Sequence, residues 1–514
     1  MSQGCDAMAT QTEPWVRGSI SMGIPSGATP RQVKTVNYLA YGANDVLGAG
    51  SMAVISAWVL IFYTKFCGLS AGEAALIFAV ARVLDAFASP TIGHLSDSFD
   101  RFWLGQTFGR RRFFILAAIP LLPSFALMWW PGQNFWFYLV SYVLFELTYA
   151  LEVIPYETLA AEMSSDFATK AKFAGIRILF AQGSAILAGF LPLWLINWLG
   201  RDSPMTFFAM GGLFSLLFMA AAGFLYAFSW ERHRPENARV VTARPSLWKN
   251  LSSTLRIRAF RLHLGMYLGG YISQDIFNAA FTFFVIFALA GSTQTASALL
   301  GTMYIVQLVA VLMAIRMALR ATPAGAYRIA AFSFAAGVAA LVLLWRAGLP
   351  ATSGWIWIGM GLVGLGRGAL NYIPWATYNY MADVDEIVTG RRREGAFAGV
   401  MTFIRKATQA AAVAFVGLLM DWGGFVPKAD VQTSGAVLTV VLVMALGTWA
   451  MLVMGVAISR RFRLSRATHA VLMAEIEHLR AGHREPISPE SRDVVEDLSG
   501  WSYDRLWGKN EVKA

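Results

Sequence analysis

Apolar runs of about 20 residues recur along the whole chain, parted by short polar stretches. A run of that length crosses the roughly 30 Å hydrocarbon core of a bilayer as one helix. The pattern predicts twelve spans, at 38–66, 71–97, 113–131, 135–163, 172–198, 204–229, 259–290, 296–317, 325–346, 352–381, 395–421 and 433–458. Charged residues interrupt the second and fourth. The polar stretch 230–258 divides the spans six and six, the layout of a transporter built from two parallel repeats around a central site. A short echo fits such a repeat: span one opens at Tyr38 and reaches Asp45, and span seven opens at Tyr267 and reaches Asp275. The predicted fold is an all-α membrane protein with twelve transmembrane helices in two pseudo-symmetric six-helix halves. Its expected divisions are an N-terminal tail 1–34, a first half 35–229, a linker 230–258, a second half 259–458 and a C-terminal tail 459–514. In that tail Ala467, Val471, Leu472, Ile476 and Leu479 recur at helical spacing. They predict an amphipathic surface helix over 464–482, ended by Pro486 and Pro489.

Composition agrees with a membrane protein. Of 514 residues 56% are hydrophobic and 14% charged, against about 25% charged in a soluble domain. The net charge of +11 raises nucleic acid as a partner, but the basic residues collect in alternate loops. Arg110, Arg111 and Arg112 follow span two, Lys170 and Lys172 span four, Arg320 span eight, and Arg391, Arg392 and Arg393 span ten. That is the positive-inside pattern; it places both termini in the cytoplasm of an inner-membrane protein. No cleaved leader is expected at the N-terminus. Cys5 and Cys67 are too few for a disulfide framework or a four-ligand zinc site. No HxxxH pair, phosphate loop or nucleophile–base constellation is present, so no enzyme, cofactor or metal site is predicted.

Charges inside apolar runs cost roughly 3 kcal/mol each or more and tend to face a pathway or a partner. Span two carries Arg82 and Asp85, three apart on one helix face, with Ser89 one turn beyond Asp85. One reading is a transport pathway; the other is an ion pair that locks two helices. Span one holds Asn44 and Asp45 among glycines. Span four holds Glu146, Glu152 and Glu157; at 100° per residue Glu146, Val153 and Glu157 fall within about 40° of one another, with Tyr149 on the flank and Glu152 elsewhere. Span five adds Arg177, span seven Gln274, Asp275 and Asn278, span ten Asn371, Trp375, Tyr378 and Asn379, and span eleven Thr402, Arg405 and Lys406. Carboxylates accept from sugar hydroxyls, Arg and Lys donate to them, and a flat aromatic packs on a sugar ring. Pairing of these groups with one another between helices accounts for many of them on the simpler view.

Four ordered stretches carry a resemblance: YGANDVLGAG through VARVLDAFASPTIGHLSD in spans one and two, IPYETLAAEMSSD and FAGIR in spans four and five, PWATYNYMADVDE at the end of span ten, and GRRREGAFAGVMTFIRK entering span eleven. They are similar to the glycoside–pentoside–hexuronide:cation symporter family, whose best-known member is the melibiose permease, within the major facilitator fold. The resemblance implies sugar recognition at Asp45, with Tyr149, Arg177, Thr402 and Lys406 around it. Asn44 stands where that permease has Lys, and Val153 and Glu157 depart from its pattern, so galactoside specificity does not transfer. The family's sodium site uses two carboxylates four apart on helix two; here they are Asp85 and Ser89. Gly93, Asp97, Arg110 and Arg112 resemble the facilitator loop motif that latches the halves on the cytoplasmic side.

The reading is a sugar or glycoside:cation symporter working by alternating access as a monomer in the bilayer. Substrate-binding residues are Asp45, Asn44, Tyr149, Arg177, Trp375, Thr402 and Lys406. Asp85, Ser89, Glu152 and Glu157 are the coupling candidates, and Arg82, Gly93, Asp97, Arg110 and Arg112 the gating and structural ones. One carboxylate and one hydroxyl make a poor sodium cage, so a proton is expected over sodium. The rivals are a lipid or lysolipid carrier of the same fold and a membrane sensor that does not transport.

Overall fold

The structure is a computed structural model that describes residues 32–164, 166–200, 203–231, 252–318, 322–378, 380–390 and 393–509. Most of the expected N-terminal tail and linker, and Arg320, Asn379, Arg391 and Arg392, lie outside the described residues. Among the described residues twelve helical spans follow in chain order: α1 Thr35–Cys67, α2 Ala71–Arg101, α3 Arg112–Leu127, α4 Phe135–Met163, α5 Phe167–Leu199, α6 Pro204–Phe228, α7 Arg258–Ala288, α8 Thr293–Ala318, α9 Pro323–Arg346, α10 Ile356–Tyr378, α11 Glu394–Trp422 and α12 Ser434–Ser459. Ten are long and apolar enough to cross a membrane by those measures alone. The other two have local reasons for falling short. α3 is broken at Pro120 and Pro123, where the helix gives way to a 3₁₀ turn before resuming at Ser124, because proline lacks the donor the helix needs. α10 is diluted by Arg367 and Asn371.

Caps set the starts. Ser70 and Glu73 form a reciprocal capping box at the head of α2, Asn134 caps α4 and Thr322 caps α9; each satisfies orphan backbone donors. Aromatic side chains fill the first half: Phe125 packs on Phe145 (4.8 Å) and Phe218 (5.1 Å), and Phe62 on Trp129 (5.3 Å). Large apolar side chains such as Phe332, Leu343 and Val453 point outward instead, as a helix facing lipid requires. Trp136, Trp198 and Trp422 ring the face opposite the C-terminal tail, where amphipathic rings meet headgroups.

The halves close on each other at that opposite face. α11 lies against α2, and α8 against α5. A Cβ on Gly189 would sit 2.6 Å from the Gly301 backbone, so small residues permit the α5–α8 approach. The Asp421 carboxylate caps α2 from the other half, accepting from the Ala71 N–H (2.8 Å) and the Gly72 N–H (2.7 Å). Ser297 Oγ donates to the Gly189 carbonyl, and Thr282 Oγ1 to the Ala57 carbonyl at 3.0 Å.

Gly417→Val is expected to force this face open. A Cβ there would lie 2.4 Å from both the Ala71 carbonyl oxygen and the Ala75 Cβ. Overpacking of this kind costs about 1–3 kcal/mol, which shifts the equilibrium roughly 5- to 150-fold. A cysteine at Ser56, in the small gap between α1, α2, α7 and α11, reports it: alkylation by a membrane-impermeant maleimide should speed up at least fivefold. An unchanged rate would mean that this face does not open by parting α2 from α11.

Beyond α12 the chain folds back. The expected helix is present as α13, Arg466–Arg480, but its apolar face is not free: Leu472, Ile476 and Leu479 are buried. Pro489 does not end a helix. It sits at the first turn of a second one, α14, Pro489–Ser499, capped by Ser488, a place that suits proline's fixed φ. Glu475, fully buried, accepts from Tyr503 Oη (2.8 Å), the Ile487 N–H (2.9 Å) and Ser491 Oγ. The Tyr503 N–H and the Arg492 guanidinium hold the Glu496 carboxyl below the usual range. This unit clasps a short helix between α10 and α11, Met381–Thr389. Arg480 pairs with Glu386, and His469 Nε2 lies 2.8 Å from Asp383. The Trp507 and Gly508 N–H groups donate to the Ile387 and Val388 carbonyls at 2.9 and 3.0 Å. Arg258 of α7 pairs with Asp497 at 2.5 Å.

Candidate functional site

Asp45 sits where α1 widens. The turn that follows it, Val46–Gly50, is π-helical, a departure from α-geometry frequent at functional positions. A Cβ on Gly48 would come 2.6 Å from Asp45 Oδ1, so glycine leaves the carboxylate its seat. Arg177 Nε of α5 donates to Asp45 Oδ1 at 2.9 Å, its Nη2 reaches Glu157 Oε1 at 3.1 Å, and the guanidinium lies 5.2 Å from the centre of the Tyr156 ring. Asp45 is buried, whereas the Glu157 side chain is 52% exposed. Tyr149 Oη donates to the Gly48 carbonyl at 3.4 Å. Glu157 therefore belongs with Arg177, not with Asp85. Asn44 and Glu152 are fully buried neighbours, set against each other beside Asp45.

A second group lies on α2 and α4. Arg82 bridges Glu146 of α4 (3.3 Å) and its own Asp85 (3.7 Å). The pair ties two helices and stands beside the group that joins the halves. Lys406 reaches across from α11. Its Nζ lies 2.6 Å from Asp85 Oδ2 and donates to Ser89 Oγ at 2.8 Å, while Ser89 Oγ donates to Asp85 Oδ1 at 2.9 Å. Lys406 is thus seated with the coupling candidates and away from Asp45. Thr402, one turn along α11, is exposed. Two cations, Arg82 and Lys406, balance two carboxylates, Asp85 and Glu146.

The second half repeats the first. Arg405 of α11 grips Asp275 of α7 with both terminal nitrogens, at 2.7 and 2.9 Å. It lies 5.0 Å from the Tyr271 ring centre, and Trp375 Nε1 donates to Tyr271 Oη at 2.9 Å. In each half an Asp of the first span meets an Arg of the fifth over a tyrosine face. The Asp45–Asp275 echo carries half of this signal; Arg405 stands out in sequence as a charge in span eleven, but nothing there pairs it with Asp275.

At the tail-side end of the first half, Arg111 bonds Asp97 (2.5 Å) and Glu162 (2.7 Å), and Arg110 also pairs with Glu162. Glu231 accepts from the Arg111 and Arg112 N–H groups at 2.9 and 2.7 Å, an anion seated on the start of α3. Arg112 Nη2 donates to the Tyr226 carbonyl. Gly93 faces Ile154 of α4. The loop motif was visible in sequence; its acidic partners Glu162 and Glu231 and the role of Arg111 were not, because they lie on distant elements.

Fold and site define a membrane transporter of two six-helix halves. The chain belongs to the MFS/sugar transport protein family, whose model matches residues 40–466. The glucuronide carrier protein homolog of Escherichia coli (strain K12) is 24% identical to it over 89% of this chain and 99% of that one. The isoprimeverose transporter of Lactiplantibacillus pentosus is 22% identical over 75% and 80%. The solved structure of the nucleoside transporter NupG, at 14% identity, covers 84% of this chain and 100% of its own with a TM-score of 0.56, a likeness of fold. The resemblance read from the sequence is borne out: this is an integral multi-pass membrane protein and a secondary transporter, not an enzyme.

Proposed function

We propose that the chain is a proton-coupled sugar or glycoside symporter. The observation that carries this is the repeated carboxylate–guanidinium–tyrosine unit, Asp45–Arg177–Tyr156 in one half and Asp275–Arg405–Tyr271 in the other. Such a unit offers hydroxyls both acceptors and donors, and in the second half the partly exposed Tyr271 offers an aromatic face to a ring. The names of its relatives, carriers of a glucuronide and of isoprimeverose, support a sugar-like solute. Asn44, Tyr149 and Trp375 complete the substrate site in this reading. Thr402 lies at its edge, and Lys406 acts from the coupling side.

The coupling group supports a proton. The Lys406 ammonium already takes the Asp85 and Ser89 oxygens that a sodium ion would need. A proton needs only one carboxylate, and its arrival on Asp85 would release Lys406. The fully buried Glu152, beside the neutral amide of Asn44, is a second stop for it. Both termini are cytoplasmic in this reading, the halves divide at 230–258, and the monomer is the working unit. Rocking of the halves exposes the site to each side in turn.

Uptake of a radiolabelled sugar panel into proteoliposomes, under a pH gradient and then a sodium gradient, tests the proposal. Uphill uptake driven by the pH gradient alone is expected. Sodium-driven uptake would overturn the proton assignment, and no sugar flux under either gradient would put the lipid carrier first.

A further inference from the structure

Arg367 is the buried cation that the pairing scheme does not absorb. It lies midway along α10 in the run GLVGLGRGAL, only 3% exposed. Arg82, Arg177, Arg405 and Lys406 each have a carboxylate partner. Arg367 has none among the described residues. Its Nη1 donates to Asn278 Oδ1 at 2.8 Å and its Nε to Gln307 Oε1 at 3.3 Å. The flanking Phe277 and Tyr304 rings, 5.8 and 6.0 Å away, supply only the weak negative field of their faces. The nearby carboxylate in the second half, Asp275, has both oxygens committed to Arg405. No described residue accepts from Nη2.

A buried charge held by neutral amides alone is costly, because desolvation is not repaid by an opposite charge. Within a membrane such a group marks a pathway or a ligand. The amides lead toward the boundary between the halves: Gln307 Oε1 accepts from Arg367, and Gln307 Nε2 donates to Gln182 Oε1 of α5 at 3.3 Å. Gln182 belongs to the first half and is half-buried. Arg367 thus stands one hydrogen-bonded residue from the boundary the substrate must cross.

We propose that Arg367, with Asn278 and Gln307, is a subsite for an anionic group on the substrate, a carboxylate carried by the sugar. This rests on the sugar-transport reading and narrows it. The free Nη2 edge takes the carboxylate as the halves close, and Gln307 and Gln182 shift to admit it. The sugar hydroxyls remain with Asp45 and Arg177.

The test is uptake of two probes that differ at one carbon, p-nitrophenyl glucuronide and p-nitrophenyl glucoside, into proteoliposomes. Wild type is expected to favour the glucuronide at least tenfold. Arg367→Gln should collapse the glucuronide-to-glucoside ratio at least tenfold, and Arg367→Lys should restore part of it by returning the charge. If Arg367→Gln does not purify as a folded protein, the methyl ester of the glucuronide asks the same question of wild type, and its uptake should fall to the glucoside level. Equal uptake of both probes by wild type, or a ratio unmoved by Arg367→Gln, would overturn the anionic subsite while leaving sugar transport intact. Uptake of neither probe would overturn both.

Discussion

Asp45→Asn is expected to raise the dissociation constant for sugar at least a hundredfold. The carboxylate is buried against Gly48 and holds Arg177 at 2.9 Å. Losing a buried, charge-assisted hydrogen-bonding partner at a binding site costs about 3 kcal/mol or more, and each 1.4 kcal/mol is about tenfold in affinity. Arg177 would then turn to Glu157 alone. Glu157→Gln is the contrast: its side chain is more than half exposed, and pairs of that kind contribute about 1 kcal/mol or less. Its effect should stay within about fivefold. Equilibrium binding of labelled sugar to detergent-purified protein measures both, with size exclusion to confirm folding. Wild-type affinity in Asp45→Asn would remove Asp45 from the substrate site.

Asp85→Asn is expected to abolish uphill transport while leaving downhill exchange. With one proton carried per sugar, a pH gradient of one unit supports about tenfold accumulation. The variant should show none, because the group that trades Lys406 for a proton is gone. Arg82 keeps Glu146, so the α2–α4 tie survives; Lys406 loses its charged partner across the halves. Steady-state accumulation in proteoliposomes at a fixed pH step checks this. Tenfold accumulation by the variant would move coupling to another carboxylate, with Glu152 next in line.

The fold was legible because lipid imposes one length on every crossing segment. Predicted and observed spans agree within a few residues, even where charges interrupt α2 and α4. Those charges are met by partners on other helices, so neither helix breaks. α3 ends at Leu127, a few residues short of the predicted bound, and Pro120 and Pro123 interrupt it within that length. Asp45 and Arg177 were legible through the resemblance. Helical periodicity separated Glu152 from Glu146 and Glu157 correctly, but it could not divide the latter two between Arg82 and Arg177. Periodicity orders residues around one helix and says nothing of which helix stands opposite, so the Lys406–Asp85 bond was hidden. Arg367 is inconspicuous in sequence for another reason: a single charge in a glycine-rich run joins no cluster, although its presence in an apolar segment is itself a signal.

The folded C-terminal unit has a practical consequence. Its described bonds run to α7 and to the helix Met381–Thr389, all parts of the second half. When the halves rock, it therefore travels with the second half as an outrigger. A donor fluorophore at exposed Arg484 and an acceptor at exposed Trp103 of the first half would turn each transport cycle into a change in energy transfer, read far from Asp45 and Asp85.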